Sequence, residues 1–234
     1  MGAILKRELG AFFNSAIAYV VMAVFFFFSG VFFYGVCLSS DSANLSYVYS
    51  NMFVIILFLT PIITMKSFSE EKRQKTDQAL LTSPSNLFQI VMGKFLGAFI
   101  LYAICCVIFI VYALVISFFT TPDWAVILCT TIGVLLLGGT LIAIDIFISS
   151  LTESQVISAV AGFAVGIIIY MMDFLISYIP FDWLSSALEG INFLNYYKNF
   201  TYGILNLSDV VFFLSISGLF IFLTIRVFEK KRWS

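Results

Sequence analysis

The chain has 234 residues, 62% of them hydrophobic and only 11% charged, with a mean hydropathy of +1.07 and a formal net charge of −1. Water-soluble domains carry roughly a quarter charged residues, so this composition excludes a globular protein with a charged coat and makes lipid the solvent. The absence of histidine removes histidine metal sites, histidine-based catalysis and histidine proton relays, and the near-neutral charge leaves no footprint for nucleic acid.

The chain opens with GAILKRELGAFF, residues 2–13. Helical spacing puts Leu5, Leu9, Phe12 and Phe13 on one face and Lys6, Arg7 and Glu8 elsewhere. That pattern predicts an interfacial helix on the inner leaflet, with a frayed start of the first span as the alternative. The apolar run that follows is too long for a cleaved signal peptide and has no small-residue cleavage site, so it reads as a retained anchor.

A spanning helix needs about 20 apolar residues to cross a core about 30 Å thick. Runs of that kind predict an all-α integral membrane fold with six transmembrane helices, near 17–37, 47–65, 95–118, 125–148, 156–179 and 209–226. The last is short, but Asp209 and Arg226 bracket it and Arg226 can snorkel. Eleven of the twelve cations fall on one side of these spans: Lys6, Arg7, Lys66, Lys72, Arg73, Lys75, Lys94, Arg226, Lys230, Lys231 and Arg232. Only Lys198 falls on the other, so the positive-inside rule puts both termini in the cytoplasm. Tyr47, Tyr49, Trp124 and Trp183 are expected in the outer aromatic belt and Trp233 in the inner one. The four cysteines lie inside spans as small apolar residues, with a bridge between Cys37 and Cys129 left open.

Between spans two and three, residues 64–86 read TMKSFSEEKRQKTDQALLTSPSN and hold seven charged residues. Ser67 with Glu70 makes a capping box, and Glu70 and Glu71 suit the first turn of a helix. Ala79, Leu80 and Leu81 end the stretch with an apolar patch, and Ser83-Pro84-Ser85-Asn86 breaks it before Asn86 and Gln89 cap the next helix. A short amphipathic helix below the membrane is predicted. A solvated connector is the alternative, but it needs neither both signs of charge nor an apolar end. No G-x-x-x-x-G-K-[ST] occurs, and Gly93-Lys94 lacks the upstream glycine, so any ATP is bound by another polypeptide.

Here the sequence resembles a family. FSEEKRQKTDQALLTSPSN followed by IVMGKFLGA looks like the ABC type-2 exporter permeases, through Glu70, Glu71, Lys72, Thr76, Leu80, Leu81, Thr82, Ser83, Pro84, Gly93 and Lys94. The family commonly has glycine before the threonine. Lys75 stands there instead, which predicts a more continuous helix than the family's tight turn. SSLTESQVISA, residues 149–159, is similar to the family's cytoplasmic turn between spans four and five. The C-terminal stretch NYYKNFTYGILNLSDVVFFLSISGLFIFLTIRVFEKKRW is similar to the branch associated with gliding motility.

The resemblance implies a bacterial, multi-pass cell-membrane permease that is not itself an enzyme and holds no cofactor. ATP and Mg would sit in a separate ATPase subunit, and a second copy or a sister permease would complete the pathway. The loop 66–94 would carry the coupling helix, with Glu70, Glu71, Lys72, Arg73, Thr76, Leu80, Leu81 and Pro84 meeting the ATPase. An extracytoplasmic auxiliary protein is a further implied partner. Spans one and five would form the contact between permeases. In span five, Gly162 and Gly166 with Ala159 one turn earlier have the small-residue spacing that lets helix backbones approach.

Asp145 and Asp173 are the carboxylates inside spans, read either as gate or pathway residues or as polar packing near span ends. The segment 180–208 carries Asp182, Glu189 and Lys198 among aromatics, and short helices dipping into the outer face are expected there, or a plain surface loop. The 28 phenylalanines suit a lipid-like or amphipathic cargo and suit lipid-facing packing equally. The functional expectation is an exporter permease. A six-span channel or secondary carrier, or a force-transmitting complex of the same family, is the alternative.

Overall fold

A computed structural model describes residues 2–39, 45–76, 86–178 and 182–233. The regular structure among them is entirely helical. It comprises α1 (Gly2–Phe13), α2 (Ala16–Phe33, continued by a π-helical turn Tyr34–Leu38), α3 (Ser46–Thr64), α4 (Ser69–Arg73), α5 (Leu87–Ser117), α6 (Trp124–Leu151), α7 (Gln155–Tyr170), α8 (Met172–Ser177), α9 (Asp182–Glu189), α10 (Phe193–Thr201) and α11 (Leu207–Trp233).

Local chemistry sets several boundaries. Ser15 is extended between α1 and α2, and its hydroxyl donates to the Phe12 carbonyl. Asp123 caps α6 by accepting from the amides of Ala125 and Val126, and Ser154 and Asn192 cap α7 and α10 in the same way. Asn86 occupies the N-cap of α5, but its side chain makes no capping bond, contrary to the expected Asn86–Gln89 pair.

Among the described residues, five helices are long and apolar enough to cross a membrane: Ala16–Leu38, Ser46–Arg73, Leu87–Ser117, Trp124–Leu151 and Leu207–Lys230. The stretch expected as span five is broken. α7 has 16 residues, a rise of about 24 Å against a hydrocarbon core of about 30 Å, and Met171 interrupts the helix before α8. At 31 residues, α5 is about 46 Å long, so its first turns extend past the core.

α6 is the central helix, packed by α3, α5, α7, α10 and α11. Aromatic side chains fill the space around it. Phe33 stacks on Tyr112 at 4.3 Å, Tyr49 lies 4.5 Å from Phe109, and Phe53 lies 5.3 Å from Tyr197. Their hydroxyls are satisfied inside the bundle: Tyr102 donates to the Val134 carbonyl at 2.8 Å and Tyr197 to the Tyr49 carbonyl at 2.8 Å. Tyr49 is therefore a core residue and leaves the expected outer belt, while Tyr47, Trp124 and Trp183 are exposed. The four cysteines are buried and none is in a disulfide, so no Cys37–Cys129 bridge forms.

Candidate functional site

The charged stretch after α3 is held against α1 and α5 by a buried ionic network. Its centre is Lys94, two turns into α5 and only 2% exposed at the side chain. Gly93 and Gly97 flank it on the face toward α1. A Cβ at Gly93 would lie 2.7 Å from Ile4 Cγ2, and one at Gly97 would lie 3.0 Å from Glu8 Cβ. Glycine at both positions lets α1 pack nearly backbone to backbone on α5. That approach brings Glu8, the buried residue among the described ones of α1, onto the lysine.

Lys94 Nζ pairs with Glu8 Oε1 at 3.1 Å and with Glu71 Oε1 at 2.9 Å. Arg7 Nη2 closes the ring onto the same two oxygens, at 2.8 and 3.0 Å. The Arg7 guanidinium is held more firmly protonated by its hydrogen bond to Glu8, against the opposing effect of partial burial. Lys94 also donates to the Ser67 carbonyl at 2.6 Å and sits 4.9 Å from the centre of the Phe68 ring. Two cations and two carboxylates balance, which is what a buried charge requires to remain ionised.

The other side of the segment is held by α6 and α11. The amides of Phe68 and Ser69 both donate to Ser149 Oγ at 3.2 Å, so a residue of α6 caps α4. Lys72 Nζ donates to the Ser150 carbonyl and lies 5.9 Å from the Phe228 ring, which itself packs on Phe68 at 4.6 Å.

The expected helix is shorter and differently capped than its sequence suggested. Phe68 is the N-cap, and Ser67 Oγ is buried without a partner, so the Ser67–Glu70 capping box does not form. α4 ends at Arg73, and Lys75 adopts a left-handed φ of 57°, which corrects the expectation of a continuous helix. The tight turn is made despite the missing glycine, because the amide of Thr76 donates to the Glu71 carbonyl at 3.0 Å. Of the expected coupling residues, Glu71 and Lys72 are built into the network, and Glu70 is half-buried and accepts from Gln74 at 3.3 Å. Arg73 and Thr76 are exposed, while Leu80, Leu81 and Pro84 lie outside the described residues.

Glu8 and Ser149 were not singled out by sequence reading. Glu8 had been placed off the apolar face of α1, yet it is the residue that face buries. A usable signal was present: Gly93 and Gly97 form a small-residue pair at the spacing that marks a close helix contact.

Gly162 and Gly166 make their close approach inside the chain. A Cβ at Gly162 would lie 2.7 Å from Pro61 Cβ and 2.8 Å from Asp145 Oδ1, and one at Gly166 would lie 3.3 Å from the Leu57 carbonyl oxygen. The pair therefore packs α7 on α3 and α6, whereas the sequence expectation had put it between two permeases. Val156, Ile157 and Val160 turn outward from α7 instead. Asp145 is 5% exposed beneath Gly162, and its Oδ2 has no hydrogen-bond partner among the described residues. Asp173 lies apart from it on α8, paired with Lys198 at 3.2 Å and accepting from Asn192.

No curated protein matches the chain at a significant level. A family model described as "ABC-2 family transporter protein" matches residues 38–228, a stretch that contains α3 to α10 and most of α11. A helical membrane protein with a charged, internally braced segment between its second and third long apolar helices, matched over most of its length, belongs to the ABC-2 family of transporters.

Proposed function

We propose that this chain is the permease of an ATP-driven exporter in which segment 66–94 receives the mechanical input. Family membership implies an ABC ATPase partner and a paired permease, either a second copy or a sister chain. ATP and Mg belong to the ATPase. The observation that carries the reading is Lys94, which ties the charged segment to α1 and α5 while Ser149 ties it to α6. A push on residues 69–81 would then move three helices together rather than bend a loop.

The proposed topology has six crossings, with α7 and α8 sharing one, and both termini in the cytoplasm. Glu8, Glu71, Lys94, Ser150 and Phe228 converge at one end, and that end carries most of the cations. Asp173 and Lys198 join α8 to α10, where Tyr197 meets the start of α3, and these pieces form the outer gate of the proposal. Asp145 lies nearer the input end and is proposed as a pathway residue. The aromatic spans suit an amphipathic cargo. A likeness of the C-terminal part to the gliding-associated branch adds an extracytoplasmic partner to the proposal.

The test uses the reconstituted permease–ATPase complex. Leu80→Ala with Leu81→Ala should detach the ATPase, because buried apolar anchors dominate binding and each typically costs about 2 kcal/mol, roughly thirtyfold in affinity. Lys94→Gln should leave the ATPase bound but lower cargo-stimulated turnover. Full co-purification of the first variant, together with normal stimulated turnover of the second, would reduce the segment to a connector.

A further inference from the structure

A cavity of about 530 Å³ opens between α1, the start of α2, the end of α3 and the charged segment. One wall is apolar, formed by Phe12, Ile17, Ile62 and Ile63. Ile17 belongs to the first turn of α2 and Ile62 and Ile63 to the last turn of α3, so this wall lies at the depth where two long apolar helices enter the bilayer. The opposite wall is polar, and several of its groups have no partner among the described residues. Lys66 makes no ion pair or hydrogen bond among the described residues. Ser67 is 5% exposed and its Oγ is buried without a partner. Glu71 engages both of its cations through Oε1, which leaves Oε2 buried and unpartnered. Glu70 lines the same wall.

Among the described residues, an ammonium and a hydroxyl without partners therefore lie within five residues in sequence of a carboxylate oxygen that also lacks one. Arg7 and Lys94 are already balanced by Glu8 and Glu71, so the cavity has no net preference for an anion or a cation. A ligand that satisfies the whole wall carries both signs of charge, and one that also covers the apolar wall carries a hydrocarbon tail. We propose that the cavity holds the headgroup of a zwitterionic aminophospholipid from the adjacent leaflet. Its phosphate sits at Lys66 and Ser67, its ammonium at Glu71 Oε2 and Glu70, and its acyl chain lies along Phe12, Ile17, Ile62 and Ile63. The volume is within the range of specific small-ligand sites. Such a lipid would brace α1 against the charged segment from the membrane side. The assignment to the inner leaflet rests on the topology proposed above.

The test needs only the purified full-length chain, without an ATPase. Native mass spectrometry is run with equimolar phosphatidylethanolamine and phosphatidylglycerol of identical acyl chains. Phosphatidylethanolamine should be retained about tenfold better, the difference expected for one charge-assisted hydrogen bond. Phosphatidylcholine, whose methylated ammonium donates no hydrogen bond, should bind no better than phosphatidylglycerol. Glu71→Gln should erase the preference, and Lys66→Gln with Ser67→Ala should weaken both lipids about tenfold. Lys230→Gln, at a residue that does not line the cavity, should change neither. Equal retention of the two lipids by the native chain would overturn the proposal without involving any variant. Displacement of the lipid by soluble phosphoethanolamine at equal concentration would show that the apolar wall takes no part, and would overturn it too. None of these outcomes bears on whether Leu80 and Leu81 dock the ATPase, so the two readings fail separately.

Discussion

Replacing Lys94 by methionine keeps the length and helix propensity of the side chain and removes only its charge and donors. Glu8 and Glu71, with side chains 11% and 17% exposed, are then left to share Arg7 alone. Removing one partner from a buried pair costs about 3–5 kcal/mol, and the retained, half-exposed Arg7 places this case at the low end, about 3 kcal/mol. That corresponds to about a hundredfold change in the equilibrium between docked and undocked α1. Because the loss is local, amide hydrogen exchange is the suitable assay: protection of α1 should fall by about that factor, while α6 amides keep theirs. Adding Glu8→Gln to Lys94→Met leaves Arg7 matched to Glu71, so the double variant should recover most of the protection, and the cycle isolates the coupling. Protection of α1 within about threefold of native in Lys94→Met would refute the claim that this network holds the helix in place.

Three further expectations follow from the same structure. Single cysteines at Asn44, Pro122 and Gly190 should react with an impermeant thiol reagent from outside, and those at Lys75, Thr152 and Arg232 only from inside. Outside labelling at Lys75 would end the coupling argument. Gly162→Val should destabilise the isolated chain by about 1–3 kcal/mol, because the added carbon meets the rigid ring of Pro61, whose Cβ is 2.7 Å from the Cβ position. An unchanged melting temperature with loss of permease pairing would return Gly162 to the subunit interface. Lys75→Gly should raise the melting temperature by about 2 °C, since a non-glycine residue at φ 57° costs about 1–2 kcal/mol and glycine recovers part of it. A fall would mean that the lysine side chain contributes more than its backbone costs.

The sequence by itself determined what solvates the chain and where its long apolar helices lie. Charge-free runs of more than 20 residues have one low-energy fate in lipid, so α2, α3, α5 and α6 were legible from composition along the chain, and α11 from a shorter apolar run bracketed by Asp209 and Arg226. Segment 66–76 was legible for the converse reason, since its charges do not enter a bilayer without partners. Periodicity, however, reports which side of a helix is apolar and not which neighbour it meets. Glu8 looked solvent-facing on α1 because the partner that buries it, Lys94, lies 86 residues away. The pair Gly162 and Gly166 announced a close approach but not that Pro61 and Leu57 of the same chain would supply it. Lys75 took the left-handed turn that glycine usually takes, after residues that Ser149, Ser150 and Lys94 hold from other helices. Ion pairs and backbone contacts between distant segments form only when packing brings them together, and tertiary structure alone decided those.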